Sequence, residues 1–203
     1  MRMRPTNEAP ILTEARIDQL VDALRVQGAP IVDHLLPGLT DPEIDGILAP
    51  LGITAPMEAR TWWGTHNGVP VLDGGHSPAM ALTTSWWWAP LDRVAAKCQL
   101  IREQLADFEG LWLPAWLPIV IGDGELVIDT AVTPGGASPV HVIDLEGDEF
   151  DRPHTPVLPS LGALIQLWTS ALKNDVMDYR QELGVFLIDP ARFDRMDPPG
   201  GVL

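Results

Sequence analysis

An α+β fold is predicted for this chain, with N-terminal helices, an antiparallel β meander and a C-terminal helix packed on the sheet. Three observations predict it. Apolar residues recur at helical spacing through the first half of the sequence. Past Gly110 the texture changes to short β-prone runs broken by Gly- and Pro-containing turns. A Ser-capped apolar stripe then returns at residue 160. The 203 residues suffice for one domain with a sizeable core. We divide them into an N-terminal extension (1–13), a single domain (14–188) with an insert near 75–110, and a C-terminal tail (189–203).

The elements follow in order. Ile17, Leu20, Val21 and Leu24 predict a helix over 14–26, ended by Gly28-Ala29-Pro30. Asp41-Pro42 starts a second helix, with Ile44, Ile47 and Leu48 on one face. In "PMEARTWWGTHNGVPVL" (56–72), Pro56 suits a first helical position, where its missing N–H needs no partner. Asn67-Gly68 supplies a left-handed stop to that third helix. Residues 69–88 are turn-rich and end in the extended "TTSWWW". The stripe Leu91, Val94, Cys98, Ile101, Leu105 and Phe108 predicts a helix over 90–108. "WLPIVI", "ELVIDT", "PVHVIDL" and "TPVL" read as the strands of a sheet within 69–158, with helices on one side. Ser160 caps a final helix carrying Leu161, Leu164, Ile165, Trp168 and Leu172, and Val176, Tyr179 and Leu183 continue its spacing. The tail from Asp189 is expected to be loose.

Composition narrows the function. Hydrophobic residues make up 46% and charged residues 20%, so the chain is neither disordered nor membrane-spanning, and no secretory leader is evident. The lone cysteine, Cys98, fits a reducing cytoplasm. A net charge of −15 disfavours nucleic acid, which is held by Lys and Arg. From Glu103 to Asp151 there are eleven Asp and Glu and no Lys or Arg. Such a stretch is either a solvated surface or a face for a basic partner.

No motif for catalysis survives inspection. "GHSPA" (75–79) imitates a hydrolase elbow, but the residue after Ser77 is Pro78, which has no N–H for an oxyanion hole. "DLEGDEFD" (144–151) lacks the sixth-position Gly of a calcium loop and reads as a charged hairpin tip. His34, His66, His76, His141 and His154 show no metal-ligand spacing, and His66 instead complements a helix C-terminus. No catalytic residue, cofactor or metal is therefore expected.

The order of these pieces resembles the SUKH superfamily, proteins related to regulators of cell-wall assembly and killer-toxin resistance. The matching positions are His66, Asn67, Gly68, Trp116, Pro118, Gly122, Asp129, Pro134, Gly135, Val140 and Ser160. Pro139, at the start of its strand, and the long insert from Gly75 to Gly110 depart from the pattern. The resemblance implies that the third helix packs on the meander, with one of Trp62 and Trp63 buried and the other along a groove rim. It implies scaffold roles for Trp62, Trp63, Asn67, Gly68, Trp116, Pro118, Asp129, Pro134, Gly135 and Ser160.

It also implies a non-enzymatic, cytoplasmic protein-binding domain. The expected type is an immunity protein that neutralises a polypeptide toxin, a nuclease among the candidates, and the alternative is a regulatory scaffold for a cellular partner. An enzyme of unrecognised type is the least favoured reading. A basic nuclease surface would be met by acidic residues. The candidate partner-binding residues are Asp123, Glu125, Asp144, Glu146, Asp148, Glu149 and Asp151, with Trp87 as an apolar anchor. Strand alternation puts Trp86 and Trp88 on one face and Trp87 on the other. Neither a nucleic acid nor a membrane is expected as partner, and the oligomeric state is left open.

Overall fold

Ile17, Leu20, Val21 and Leu24 form the buried stripe of α1 (Glu14–Val26). The structure, a computed structural model, describes residues 9–70, 77, 80–84, 86–108, 110–122, 124–131, 136–143 and 155–196. After a 3-10 turn at Pro30–His34 comes α2 (Asp41–Leu48), which buries Ile44 and Leu48. Its first turn is fixed by the Thr40 N–H, which donates to Glu43 Oε2 at 2.8 Å. The third helix, α3, spans Met57–Thr65, so Pro56 is its cap and not its first residue.

The stop at Asn67-Gly68 works differently from the expectation. The helix already ends at Thr65, because His66 is extended (φ −144°) and forms an antiparallel bridge with Pro37. Asn67 N–H then donates to Leu36 O, and Leu36 N–H to Gly68 O. Gly68 has φ +68°, and a Cβ there would stand 2.3 Å from Trp88 O. Its glycine is required by the passing 88–89 backbone as much as by the turn.

Trp62 and Trp63 are both fully buried, which corrects the expected rim position for one of them. Adjacent helical residues point about 100° apart, so burying both requires cover on more than one side. α1 and α2 both pack against α3. Trp62 stacks on Trp88 with ring centroids 3.8 Å apart, and its Nε1 donates to Ile119 O at 3.1 Å. Trp63 Nε1 reaches Ala89 O at 3.5 Å.

The β structure is antiparallel throughout the described residues. β1 (Trp86–Trp87) pairs with β3 (Ile121–Gly122), and β2 (Trp116–Pro118), β4 (Glu125–Asp129) and β5 (Val140–Ile143) form a sheet in the order β2-β4-β5. "WLPIVI" is thus two short strands with different partners, and "TPVL" contributes only a bridge from Leu158 to Val140. Leu117, Leu126, Ile128 and Val140 face the main core. The alternate residues Trp116, Val127 and Ile143 face a smaller cluster with Cys98, Ile101 and Trp112. Cys98 and Ile101 belong to α4 (Leu91–Gln104), so the sheet is covered on both faces and not on one. Phe108 lies past the end of α4 and is 58% exposed.

Ser160 caps α5 (Leu161–Lys173), its Oγ accepting from Ala163 N–H at 2.9 Å. The helix does not continue. Asp175 takes φ +51°, and the chain turns into a hairpin of β6 (Met177–Arg180) and β7 (Val185–Ile188). Met177 and Tyr179 are buried at strand period, against the helical spacing of Val176, Tyr179 and Leu183 read from sequence, and Leu183 lies exposed in the turn. Against the expected loose tail, its residues Pro190–Met196 form α6, with Phe193 and Met196 packed on the core. Nor is the N-terminal segment wholly an extension, since Leu12 is 2% exposed.

What holds that segment is Glu58, fully buried in the first turn of α3. Its Oε1 accepts from Leu12 N–H at 2.7 Å and Gly162 N–H at 2.9 Å, and its Oε2 accepts from Ser138 N–H. Ser160 Oγ donates to Pro10 O at 2.6 Å beside it. A Cβ on Gly162 would stand 2.1 Å from that same carbonyl, so only glycine fits. Glu58→Gln would turn an NH2 group against one of the three N–H donors. We expect it to lower the unfolding free energy by about 2–4 kcal/mol in urea denaturation. A loss under about 0.5 kcal/mol, the scale of an ordinary surface change, would contradict a bracing role.

Candidate protein-binding face

The three consecutive tryptophans sort as strand alternation requires. Trp86 and Trp88 are buried, and Trp87, between them, is half-buried. Pairing sets Trp86 opposite Gly122 and Trp87 opposite Ile121. The Trp86 ring closes on the next turn, 3.6 Å from where a Cβ on Gly124 would lie, and Ile143 O lies equally near. β1, the β3–β4 turn and the end of β5 therefore meet at one end of the sheet. Trp87 Nε1 donates to Ser77 O at 3.0 Å, tying the insert to this end.

Asp123, Asp144, Glu146, Asp148, Glu149 and Asp151 lie outside the described residues, as do Pro134 and Gly135. Their described neighbours still place them along the chain. Glu125 pairs with Ile143 as the first residue of β4 and the last of β5. Gly122, Gly124 and Ile143, which border 123 and 144 in sequence, thus lie at the sheet end that carries Trp87.

Glu125 itself departs from its expected role. Its side chain is 5% exposed and bonds Lys97 Nζ at 2.7 Å, so it is a buried ion pair behind the sheet and not an open charge. Strand alternation turns it, with Val127 and His141, toward α4. Lys97 stands next to Cys98 on that helix and is the residue that sequence reasoning passed over. Burial pushes the Glu125 carboxyl above the usual carboxylate range, and Lys97 draws it part of the way back. Burial likewise pushes the Cys98 thiol up, against the nearby Arg102 charge, and Cys98 Sγ contacts Trp116 O at 3.6 Å. A thiol held in its protonated form inside an apolar cluster is a packing group, not an activated nucleophile.

The remaining signature positions serve the scaffold in specific ways. Asn67 Oδ1 accepts from Leu91 N–H at 2.9 Å, capping α4 from a distance in sequence. Trp116 is fully buried, edge-on to Trp112 and 5.6 Å from the His141 ring. Pro118 is buried opposite Val127. Asp129 Oδ1 accepts from Ala131 N–H at 2.8 Å, closing the turn after β4. His66 sits edge-on to Trp88 with ring centroids 5.8 Å apart. Ser77 O also accepts from Met80 N–H at 2.9 Å, while His76 and Pro78 lie outside the described residues.

Among the described residues no group of three or more His, Cys, Asp or Glu is placed to hold a metal ion. No helix among them is long and apolar enough to cross a membrane. No family model matches the chain, and no curated protein matches it.

The buried pair generates a pH-dependent expectation. A carboxyl whose folded-state value lies above its unfolded one binds its proton more tightly in the folded protein. It costs stability above the raised value, and the cost is relieved as pH falls through the window between the two. Lys97→Met removes the offsetting charge and widens that window. We expect a loss of about 2 kcal/mol or more near pH 8, shrinking toward pH 5, in urea denaturation at both. An equal loss at the two pH values would show that the charge of Lys97 is not what matters.

Proposed function

We propose that this chain is a non-enzymatic protein-binding domain of SUKH type, an immunity protein that neutralises a basic polypeptide toxin by direct binding in the cytoplasm. One observation carries the reading: Gly122, Gly124 and Ile143, the described residues that border the acid-rich stretches in sequence, lie at the sheet end that bears half-buried Trp87. A nuclease toxin must present cations to hold phosphates, and an acidic inhibitor gains both encounter rate and complementarity against it. Asp123, Asp144, Glu146, Asp148, Glu149 and Asp151 supply the charge in this reading, and Trp87 the apolar contact. Glu125 supports the strand from behind. The matching family positions, from Asn67-Gly68 to Ser160, are scaffold for that face.

The two components act on different rate constants. Exposed charges act at long range and are screened within roughly 8 Å at physiological ionic strength. Charge reversal at Asp148, Glu149 and Asp151 together should slow association with the cognate basic toxin domain, to be sought in the neighbouring reading frame, by about tenfold or more at low salt. The difference should close at high salt. Trp87→Ala should leave association nearly unchanged and raise the dissociation rate. Surface plasmon resonance at two salt concentrations measures both. An association rate and salt slope untouched by the triple reversal would make the acidic stretch a solvated surface only.

A further inference from the structure

On the opposite kind of surface, α1 and α5 lie side by side and in parallel. Arg16 reaches Gln166, and Gln27 Nε2 reaches Leu172 O further along both helices. Between them is a cleft of about 220 Å³ lined by Arg16, Gln19, Gln166, Ser170, Lys173 and Asn174. We infer that this cleft binds a compact polybasic oxyanion, one carrying phosphate or several carboxylates.

The charge arrangement is the first support. The chain has 28 Asp and Glu against 13 Lys and Arg, yet α5 contains no acidic residue. Among the described residues neither Arg16 nor Lys173 pairs with a carboxylate, whereas Arg25, Arg60, Lys97, Arg180 and Arg192 all do. Asp175, the nearest acid along the chain to Lys173, is held by Arg192 at 3.0 Å. Glu14 and Asp18 flank Arg16 along α1, but the cleft lining itself holds two cations and no carboxylate, which makes it locally positive.

The donor inventory is the second support. Arg16 spends one N–H on Gln166 Oε1 at 3.2 Å, which leaves the Gln166 amide N–H2 and the rest of the guanidinium fork to donate. Asn174 Nδ2 donates to both Ser170 O and Ser170 Oγ, so the Ser170 hydroxyl proton is released to another acceptor. Lys173 and Gln19 add further donors. The guanidinium fork matches carboxylate and phosphate geometry, and the ammonium serves as a point charge. The volume is below the range of cofactor pockets and suits a small ion. This inference is independent of the toxin-binding reading, since the acid-rich segments and Trp87 take no part in it.

Amide chemical shifts of the full chain, titrated with inorganic phosphate and separately with citrate, test it at constant ionic strength with sodium chloride and acetate as controls. Saturable shifts confined to residues 16–19 and 166–174 are expected, weakened at least tenfold in Arg16→Gln/Lys173→Gln and retained in Arg16→Lys. Saturation by phosphate alone would define a phosphate site, and by citrate alone a carboxylate site. Shifts that stay linear, follow the chloride control, or persist unchanged in the double variant would overturn the inference. Both substitutions lie on exposed or half-exposed side chains, so an unchanged thermal midpoint separates lost binding from lost fold.

Discussion

The buried carboxylate of Glu58 is the constraint on which the arrangement of this domain depends. Leu12, Ser138 and Gly162 are remote in sequence, and each would leave a buried backbone N–H without a partner if the carboxylate moved. One side chain thereby fixes the entry of the chain, the approach to β5 and the start of α5 against α3. A carboxylate accepts and does not donate, so it satisfies converging N–H groups that no hydroxyl or amide of that size could serve alike. The close approach of Pro10 O to Gly162 follows from the same demand.

Around that fixed point the tryptophans set the distance between layers. Trp62 lies flat on Trp88 while its indole N–H is taken by Ile119 O, so α3, the 88–89 segment and the β2–β3 junction are held together by one ring. Trp116 does the corresponding work on the other face of the sheet, with Trp112 and His141 against it. Large rigid rings fill such interlayer space at little conformational cost, and the Trp62 indole N–H finds its partner in Ile119 O as it is buried. Two separate clusters with a three-stranded sheet between them are the result.

Much of this was legible in the residues. The α1 stripe, the Ser160 cap and the inward turn of Trp86 and Trp88 all follow from local periodicity or capping chemistry, and each is found in place. Other features depend on what lies across the fold. Glu58 is, locally, an ordinary acid in the first turn of a helix, and nothing local announces three distant N–H donors. Glu125 was one acid among eleven in an acidic run, and only its strand register separates it from the rest. Val176, Tyr179 and Leu183 fall at helical spacing, but the left-handed Asp175 breaks the helix before them and Leu183 lies exposed in the hairpin turn. Asn67-Gly68 has the form of a helix stop, whereas its side chain caps a different helix and its glycine makes room for the passing 88–89 segment.

The unequal depth of the strand pairings has a dynamic consequence. β4 has a neighbour on each edge and an apolar cluster on each face, so its amides exchange with solvent only when the whole domain opens. β1 and β3 share only two residue pairs, and Trp87 stands on that short ladder between two locked neighbours. A ladder of that length opens at a small fraction of the global free energy. Trp87 can therefore change its seat on a fast timescale while the Trp62–Trp88 stack stays closed, which gives the molecule a soft edge mounted on a rigid interior.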